Sequence, residues 1–410
     1  MAIIVQKYGG TSVANAERIQ AVARRVKEAV GRGDRIAVVI SAMAGETERL
    51  IALSKAYAAE PKPQALDLLL ATGELKSCSL LSIALEEEGV PTKLFTGLEA
   101  GFVTDAHHGR ARILRVEPAK VIEAMGVGAV AIVAGFQGAT EAGEITTIGR
   151  GGSDTSAVAL AAAIGADRCE IYSDVDGVLT SDPRIVPKAR VIDKISYEEL
   201  MEFADAGAKV MHARSVEMAA KYSVPLQIRS AFSHAAGTRV LPESQIGESL
   251  HVSGITCNKN EAKIAIRKVP DKVGINARIF ARIARAGINV DLIIQNISAE
   301  GFADLTFTCE KDDLRRAMTI ACAAAKEVEA GEVEAAGDIA KISAVGLGMR
   351  SHAGIAHRMF SALAREEIAI QMIGTSEIKL SVVIDIRHAD NAVRILHDEF
   401  GLGAPRGHNR

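Results

Sequence analysis

Ile3-Ile4-Val5-Gln6-Lys7-Tyr8-Gly9-Gly10-Thr11-Ser12 opens with an apolar run and closes on a lysine, two glycines and two hydroxyl side chains. The spacing predicts a strand over Ile3–Val5, a turn, and then a helix capped by Thr11 or Ser12. That helix carries Ile19, Val22, Ala23, Val26 and Val30 on one face. Two glycines let the backbone approach a ligand closely, and the helix N-terminus that follows favours an anion. Lys7 adds a point charge at the strand end. These are the parts of a phosphate site, and equally of a tight β-to-α turn that binds nothing.

Working outward, the same alternation continues. Ile36–Ile40 is a continuous apolar run, as expected of a strand buried on both faces. Leu66–Glu88 reads as a helix, Thr92–Phe95 and Val130–Ala134 as strands, Ser153–Ile164 as an Ala-rich helix, and Cys169–Tyr172 and Leu226–Ile228 as further strands. Strand and helix in turn imply an α/β fold, a mainly parallel sheet with helices on both faces. Residues 231–262 loosen into a linker-like stretch.

Beyond it lies an internal repeat. Residues 274–293 align with 354–373, sharing Gly274/Gly354, Ile275/Ile355, Arg278/Arg358, Phe280/Phe360, Ala284/Ala364, Arg285/Arg365, Ile288/Ile368 and Ile293/Ile373. Each copy continues into a strand (Asp304–Thr308; Lys379–Ile384) and a second helix (Asp312–Lys326; Ala389–Phe400). The result is a βαββαβ-like unit occurring twice, either as a bare scaffold or as a binding and regulatory region.

Composition removes several function classes. Among 410 residues, Lys plus Arg is 48 and Asp plus Glu is 51, a net charge of −3, which argues against a polyanion binder. Aromatics are 4% and Trp is absent, so base-stacking and carbohydrate platforms are not expected. The apolar run around Val127–Phe136 is too short to span a bilayer. The N-terminus turns polar at once, unlike a secretory signal. Five widely spaced cysteines suit reduced cytosolic thiols and not a disulfide frame or zinc site. His107-His108 reads as a solvated pair in a polar loop. The expectation is a cytoplasmic protein without nucleic acid, membrane or resident metal.

Two further segments carry chemistry. Gly149-Arg150-Gly151-Gly152-Ser153-Asp154-Thr155 sets an arginine in a Gly-rich turn before a helix capped by Ser153 or Asp154. That arrangement suits a carboxylate or phosphate. Ser173-Asp174-Val175-Asp176-Gly177-Val178 and Ser181-Asp182-Pro183-Arg184 follow a strand, where open α/β sheets bind ligands. Their acidic spacing is wrong for an EF-hand, and turn chemistry accounts for part of them. There is no Walker A loop, no protein-kinase signature, no G-x-G-x-x-G after the first strand and no G-x-S-x-G elbow.

Lys7-Tyr8-Gly9-Gly10-Thr11-Ser12, Ser41-Ala42-Met43, Thr72-Gly73-Glu74, Gly135-Phe136-Gln137-Gly138, Thr147–Thr155 and Ser173–Arg184, in this order and with the duplicated tail, resemble the bacterial aspartokinases. The resemblance covers essentially the whole chain. It implies an amino-acid kinase fold over residues 1–245 and ACT domains over 263–335 and 336–410, the second completed by a strand at 251–257. It implies ATP-dependent phosphorylation of L-aspartate to 4-phospho-L-aspartate, with Mg²⁺ accompanying the ATP. This is the first step towards lysine (through diaminopimelate), threonine and methionine.

By the same resemblance Lys7, with Gly9 and Gly10, would hold the transferring phosphate, and Asp154 would orient Lys7. Ser41 and Thr47 would line the aspartate site, Glu74 would take the ammonium, Arg150 the α-carboxylate, and Gly151, Gly152 and Ser153 would help position the substrate. Tyr8, Ser173, Asp174, Asp182 and Arg184 would hold the nucleotide, with Lys209 and Val210 near the adenine. Lys76 stands where the family pattern has arginine, and Gly45-Glu46 interrupts the stretch before Thr47. In the tail, Asp271, Gly274, Gln295 and Asn296 match the effector loops, for lysine or threonine. The second copy reads Ser351-His352-Ala353-Gly354, without the acid. The resemblance also implies a homo-oligomer joined through ACT domains, with a separate small ACT-only subunit as an option. The alternatives are another amino-acid kinase, or an amino-acid sensor with a degenerate kinase domain.

Overall fold

Strand Ile3–Tyr8 has parallel neighbours on both sides, Arg35–Ile40 and Arg168–Ser173, in a computed structural model that describes residues 1–205, 210–246, 252–297, 301–349 and 354–403. The whole sheet is eight-stranded, in the order Lys194–Ser196, Thr238–Leu241, Leu226–Ser230, Arg168–Ser173, Ile3–Tyr8, Arg35–Ile40, Val130–Ala134, Thr92–Phe95. Only Thr238–Leu241 against Leu226–Ser230 is antiparallel. All five residues of Val130–Ala134 are buried, because helices cover the sheet on both faces. The chain leaves Ile3–Tyr8 to one side through Arg35–Ile40 and later returns on its other side through Arg168–Ser173. Such a reversal opens a crevice at the carboxyl ends of the strands. A four-stranded sheet of Ile113–Val116, Phe102–Thr104, Gln137–Ala139 and Ile145–Thr147 belongs to the same compact unit, Met1–Leu179 with Val191–Ser249.

Helix Pro63–Glu87 is long and apolar enough, by length and composition, to cross a membrane. Here it packs on strands Thr92–Phe95, Val130–Ala134 and Ile145–Thr147 and on helix Ala16–Gly31. Leu70, Cys78, Leu81 and Leu85 enter the core, and so do two carboxylates, Asp67 and Glu74.

The second unit is Thr180–Arg190 with Leu250–Arg410. Its six-stranded sheet runs Val290–Ile297, Phe302–Glu310, Gly254–Pro270, Val333–Val345, Lys379–Asp385, Met372–Thr375, antiparallel throughout. The two central strands serve both repeats. Glu261–Pro270 borders Phe302–Glu310 of the first copy, while Gly254–Asn258 borders Lys341–Val345, which pairs onward with the second copy's Lys379–Asp385. Register shifts between Asn258 and Lys263 re-aim the side chains between the two halves. Each repeat then fills its own core: Ile264, Ile266, Ile279, Ile283 and Phe307 in one, Ile342, Ala344, Met359, Leu363 and Val382 in the other. The repeated helices, Ile275–Arg285 and Ile355–Arg365, follow the aligned glycines Gly274 and Gly354, both left-handed.

Several local expectations change. Thr11 and Ser12 lie in a 3-10 turn, and Asn15 caps helix Ala16–Gly31 by accepting from the Arg18 N–H. Neither Ser153 nor Asp154 caps helix Gly152–Ala163; left-handed Gly151 stands there. Residues 231–262 are not a plain linker: Thr238–Leu241 joins the first sheet and Gly254 begins the long strand of the second. His108 is mostly buried and bonded to Asp67 at 2.8 Å, so only His107 is solvated. Ser351, His352 and Ala353 lie outside the described residues.

Candidate active site

The carboxyl ends of four adjacent strands release Gly9, Ser41, Gly135 and Asp174 on one edge of the first sheet. Backbone bonds weave these ends together: Gly9 N–H donates to Tyr172 O (3.4 Å), Ser41 N–H to Tyr8 O (3.1 Å), and Gly135 N–H to Ile40 O (3.0 Å).

Glycines let the neighbouring loops close in. A Cβ on Gly10 would stand 2.7 Å from Ala42 O, and the Ala44 N–H donates back to Gly10 O at 3.1 Å. A Cβ on Gly73 would stand 2.9 Å from the Ala42 Cβ, so helix Pro63–Glu87 also reaches this loop. Glu74 Oε1 accordingly accepts the Ala42 N–H at 3.0 Å. Its other oxygen, Oε2, is buried without a hydrogen-bond partner. Burial pushes the carboxyl up to about 7, against the downward pull of the Ala42 N–H. An unpaired buried oxygen next to a Gly-Gly loop is a place for a donor that arrives with a ligand.

Lys7 Nζ lies 2.6 Å from Asp154 Oδ1, both side chains being 12% exposed. Asp154 sits in the first turn of helix Gly152–Ala163, where the helix end favours its negative charge. Gly9 leaves room for the amine: its Cβ would come 3.4 Å from Lys7 Nζ. Gly135 does the same for Ser153, whose Oγ would be 2.9 Å from a Cβ there. Arg150 is exposed on the turn before that helix, between left-handed Gly149 and Gly151. Ser41 and Thr47 are half-buried, Thr47 as the second residue of helix Glu46–Lys55, which starts after left-handed Gly45.

The Tyr8 side chain does not line this edge. It is fully buried and stacked on Tyr172 with centroids 4.7 Å apart, its hydroxyl bonded to Gln6 Oε1 (3.2 Å). Side chains alternate along a strand, so Lys7 and Tyr8 face opposite ways. Ser173 and Asp174 stand at the edge, with Ser173 Oγ donating to Asp174 Oδ1 at 3.1 Å. Asp182 and Arg184 pair with each other (Nη2 to Oδ2, 2.7 Å), in the segment that belongs with the second unit. There, Thr180 Oγ1 meets the fully buried His397 at 3.0 Å, and Arg190 Nε donates to Leu402 O. Val210 is half-buried in a turn, and Lys209 lies outside the described residues.

In the second unit Asp271 is exposed, and Gly274 begins helix Ile275–Arg285 with φ +90°. Asn276 Nδ2 on that helix donates to Gln295 Oε1 (2.7 Å), bringing Gln295 to the loop's side of strand Val290–Ile297. Asn296 goes elsewhere. With Ile294 it lines a cavity of about 490 Å³ together with Lys263, Arg267, Asp304 and Met372. The two-residue period of a strand splits adjacent residues between its faces.

Two residues without any motif also frame the site. Asp67 accepts from Thr147 and Gly109, and Arg214 donates to Ile148 O and Ala111 O. Asp67 was legible only as an acid seven residues before Glu74 on the same apolar helix.

The amino acid kinase family model matches residues 2–230, and the ACT domain models match 264–324 and 342–400. An aspartate kinase of Stutzerimonas stutzeri is 50% identical over 408 residues, 99% of either chain. Two structures of E. coli aspartokinase III are similar at 26% identity, each covering 97% of this chain and 99% of that one. One, with aspartate and ADP, has a TM-score of 0.80; the other, with lysine and aspartate, has 0.74. With a parallel sheet bearing a Lys–Asp pair at its glycine-lined edge, a tail of two ACT repeats and half its residues in common with a full-length aspartate kinase, the chain belongs to the aspartokinase branch of the amino-acid kinase family.

Proposed function

We propose that Lys7 is the residue on which phosphoryl transfer turns in the aspartokinase reaction, the ATP-dependent phosphorylation of the aspartate side-chain carboxylate. The observation that carries this is the Lys7–Asp154 pair at 2.6 Å beside Gly9 and Gly10. Both reactants are anions, and a carboxylate is already nucleophilic at pH 7. The protein therefore needs alignment and positive charge, not a general base. Lys7 and the Gly9 and Gly10 amides would meet the transferring phosphoryl, and Asp154 would hold the amine in place. Glu74 Oε2 would accept the substrate ammonium and Arg150 would take the α-carboxylate, with Ser41, Thr47, Ser153 and the Gly151-Gly152 turn around them.

Ser173 and Asp174 would hold the nucleotide. Asp182 and Arg184 would have to give up their mutual pair to join it. Mg²⁺ would supply charge neutralisation on the phosphates. The exposed Asp174 carboxylate fits a site where one or two carboxylates and the phosphates suffice. Catalysis would reside in residues 1–245, and 263–335 and 336–410 would act as the two ACT domains, with 251–257 lending its strand to the second. Asp271, Gly274 and Gln295 would receive a free amino acid, lysine or threonine; lysine is bound in the E. coli enzyme's structure. An edge strand with half-exposed Ile293, together with a fully exposed Val273 in the loop before helix Ile275–Arg285, supports joining of chains through these repeats. A smaller ACT-only subunit is compatible with the same edge, and the reduced thiols suit the cytoplasm.

Lys7→Ala tests the assignment. The variant should fold, by circular dichroism, and lose about 10²–10³ in kcat, because charge develops on the moving phosphoryl. Near-normal kcat in a folded variant would reject it.

A further inference from the structure

Asp67 is 1% exposed and accepts from donors on two separate segments, the end of strand Ile145–Thr147 leading into the next loop and the loop at Gly109. Thr147 gives both its N–H (3.1 Å) and its hydroxyl (2.5 Å). Gly109 N–H sits 3.0 Å from each carboxylate oxygen, and His108 Nδ1 adds a contact at 2.8 Å. Arg214 does the converse for the same two loops. Its guanidinium donates to Ile148 O (2.9 Å) and Ala111 O (3.0 Å). The loops are bonded to one another as well, Ala111 N–H to Thr147 O at 2.9 Å, and a Cβ on Gly149 would stand 3.1 Å from Gly109 O. Backbone donors thus run to a carboxylate and backbone acceptors to a guanidinium, and between these clamps the chain emerges as Gly149-Arg150-Gly151. Arg150 has no ion pair of its own among the described residues, so its aim is set by the backbone that carries it.

We propose that Asp67 is a positioning residue for aspartate binding. Together with Arg214 it fixes the loop that presents Arg150 to the substrate carboxylate. This rests on the reading of Arg150 given above. Asp67 lies two turns before Glu74 on one helix, so a single rigid element would set both the ammonium and the carboxylate contacts of the amino acid. A geometry held this way is the kind on which productive orientation depends.

Asp67→Asn tests it, because its amide must turn an NH₂ towards at least one N–H donor. Aspartate KM should rise tenfold or more, with ATP KM changed less than twofold. Thr147→Val, which removes only the hydroxyl bond and preserves shape, should move aspartate KM the same way by a smaller factor, and it serves if Asp67→Asn fails to fold. Arg150→Ala separates the two readings. If Arg150→Ala leaves aspartate KM unchanged, the substrate role of Arg150 fails. If Arg150→Ala raises it but neither Asp67→Asn nor Thr147→Val does, positioning by Asp67 fails. Asp67→Asn placed on Arg150→Ala should add no further KM increase, since the residue acts through the arginine. Additive effects, or an equal rise in ATP KM, would overturn the proposal in favour of a purely structural acid.

Discussion

Glu74 shows how one residue's surroundings decide its behaviour. Pushed up to about 7 by burial, its carboxyl is largely neutral below that pH. An ammonium ligand requires the ionised form. Aspartate KM should therefore climb up to tenfold per pH unit as pH falls below about 7, and flatten above it. Stability follows the opposite sign. The unfolded carboxyl titrates near 4.5, so between 4.5 and 7 the folded state keeps a proton that the unfolded chain has released. Stability contributed by this group therefore falls as pH rises through that window, and the cost is complete above it. Glu74→Gln keeps an acceptor for the Ala42 N–H and removes the buried charge. At pH 8 it should be more stable than wild type by on the order of 3 kcal/mol, a difference that shrinks towards pH 5. Urea unfolding at the two pH values measures this, and kinetics should show a raised aspartate KM that no longer varies with pH. A variant no more stable at pH 8 would mean that water or a neighbour already relieves the charge.

At the scale of elements, the start of helix Gly152–Ala163 is built on conformations that side chains resist. Gly151 has φ +68°, and a Cβ there would come 2.3 Å from the His212 Cβ. His212 caps helix Ala213–Lys221, accepting the Arg214 N–H at 3.4 Å. Gly165, just past the other end of the Ala-rich helix, is also left-handed but has open space around it. Gly165→Ala should cost about 1 kcal/mol, the left-handed penalty alone. Gly151→Ala must also push His212 aside, and should cost at least about 1 kcal/mol more. It should raise aspartate KM as well, because it moves the turn bearing Arg150. Paired thermal melts would reject the account if the two substitutions cost the same.

Over the whole molecule, regulation has to pass through an element with two states that each ligand distinguishes. The second unit offers a shared backbone through which such a shift would pass. Strands Gly254–Pro270 and Val333–Val345 run through both repeats, so a shift in one copy is felt along a shared backbone. The first copy has Asp271 in the loop before its helix, and the aligned position of the second, Ser351, is not acidic. Asp271→Ala should shift inhibition by lysine or threonine to at least tenfold higher concentration while uninhibited activity stays near wild type. Inhibition curves for each amino acid, alone and together, give the measurement. A curve that superimposes on wild type would move the effector site elsewhere, and the cavity beside Asn296 would be the next place to look.

Local chemistry was enough to decide the alternation of strands and helices, the strand ends that carry the candidate site, and the duplicated tail. An apolar run such as Ile36–Ile40 has one good solution, and Gly-Gly after a strand admits a ligand whatever lies beyond. The Gly-rich segments also singled out Lys7, Arg150 and Asp154, and the resemblance added Glu74. Tertiary structure alone decided which of these meet. Lys7 reaches Asp154 because their two elements pack together, and Glu74 is pushed up because the fold buries its face of the helix. It also decided which face of strand Val290–Ile297 looks onto the cavity, giving Asn296 to it and Gln295 to the loop side, since the face a residue takes depends on register and fold. It alone gave Asp67 and Arg214 a task. A carboxylate within a helix looks like any other surface charge until burial against distant loops leaves it as the acceptor for their backbone.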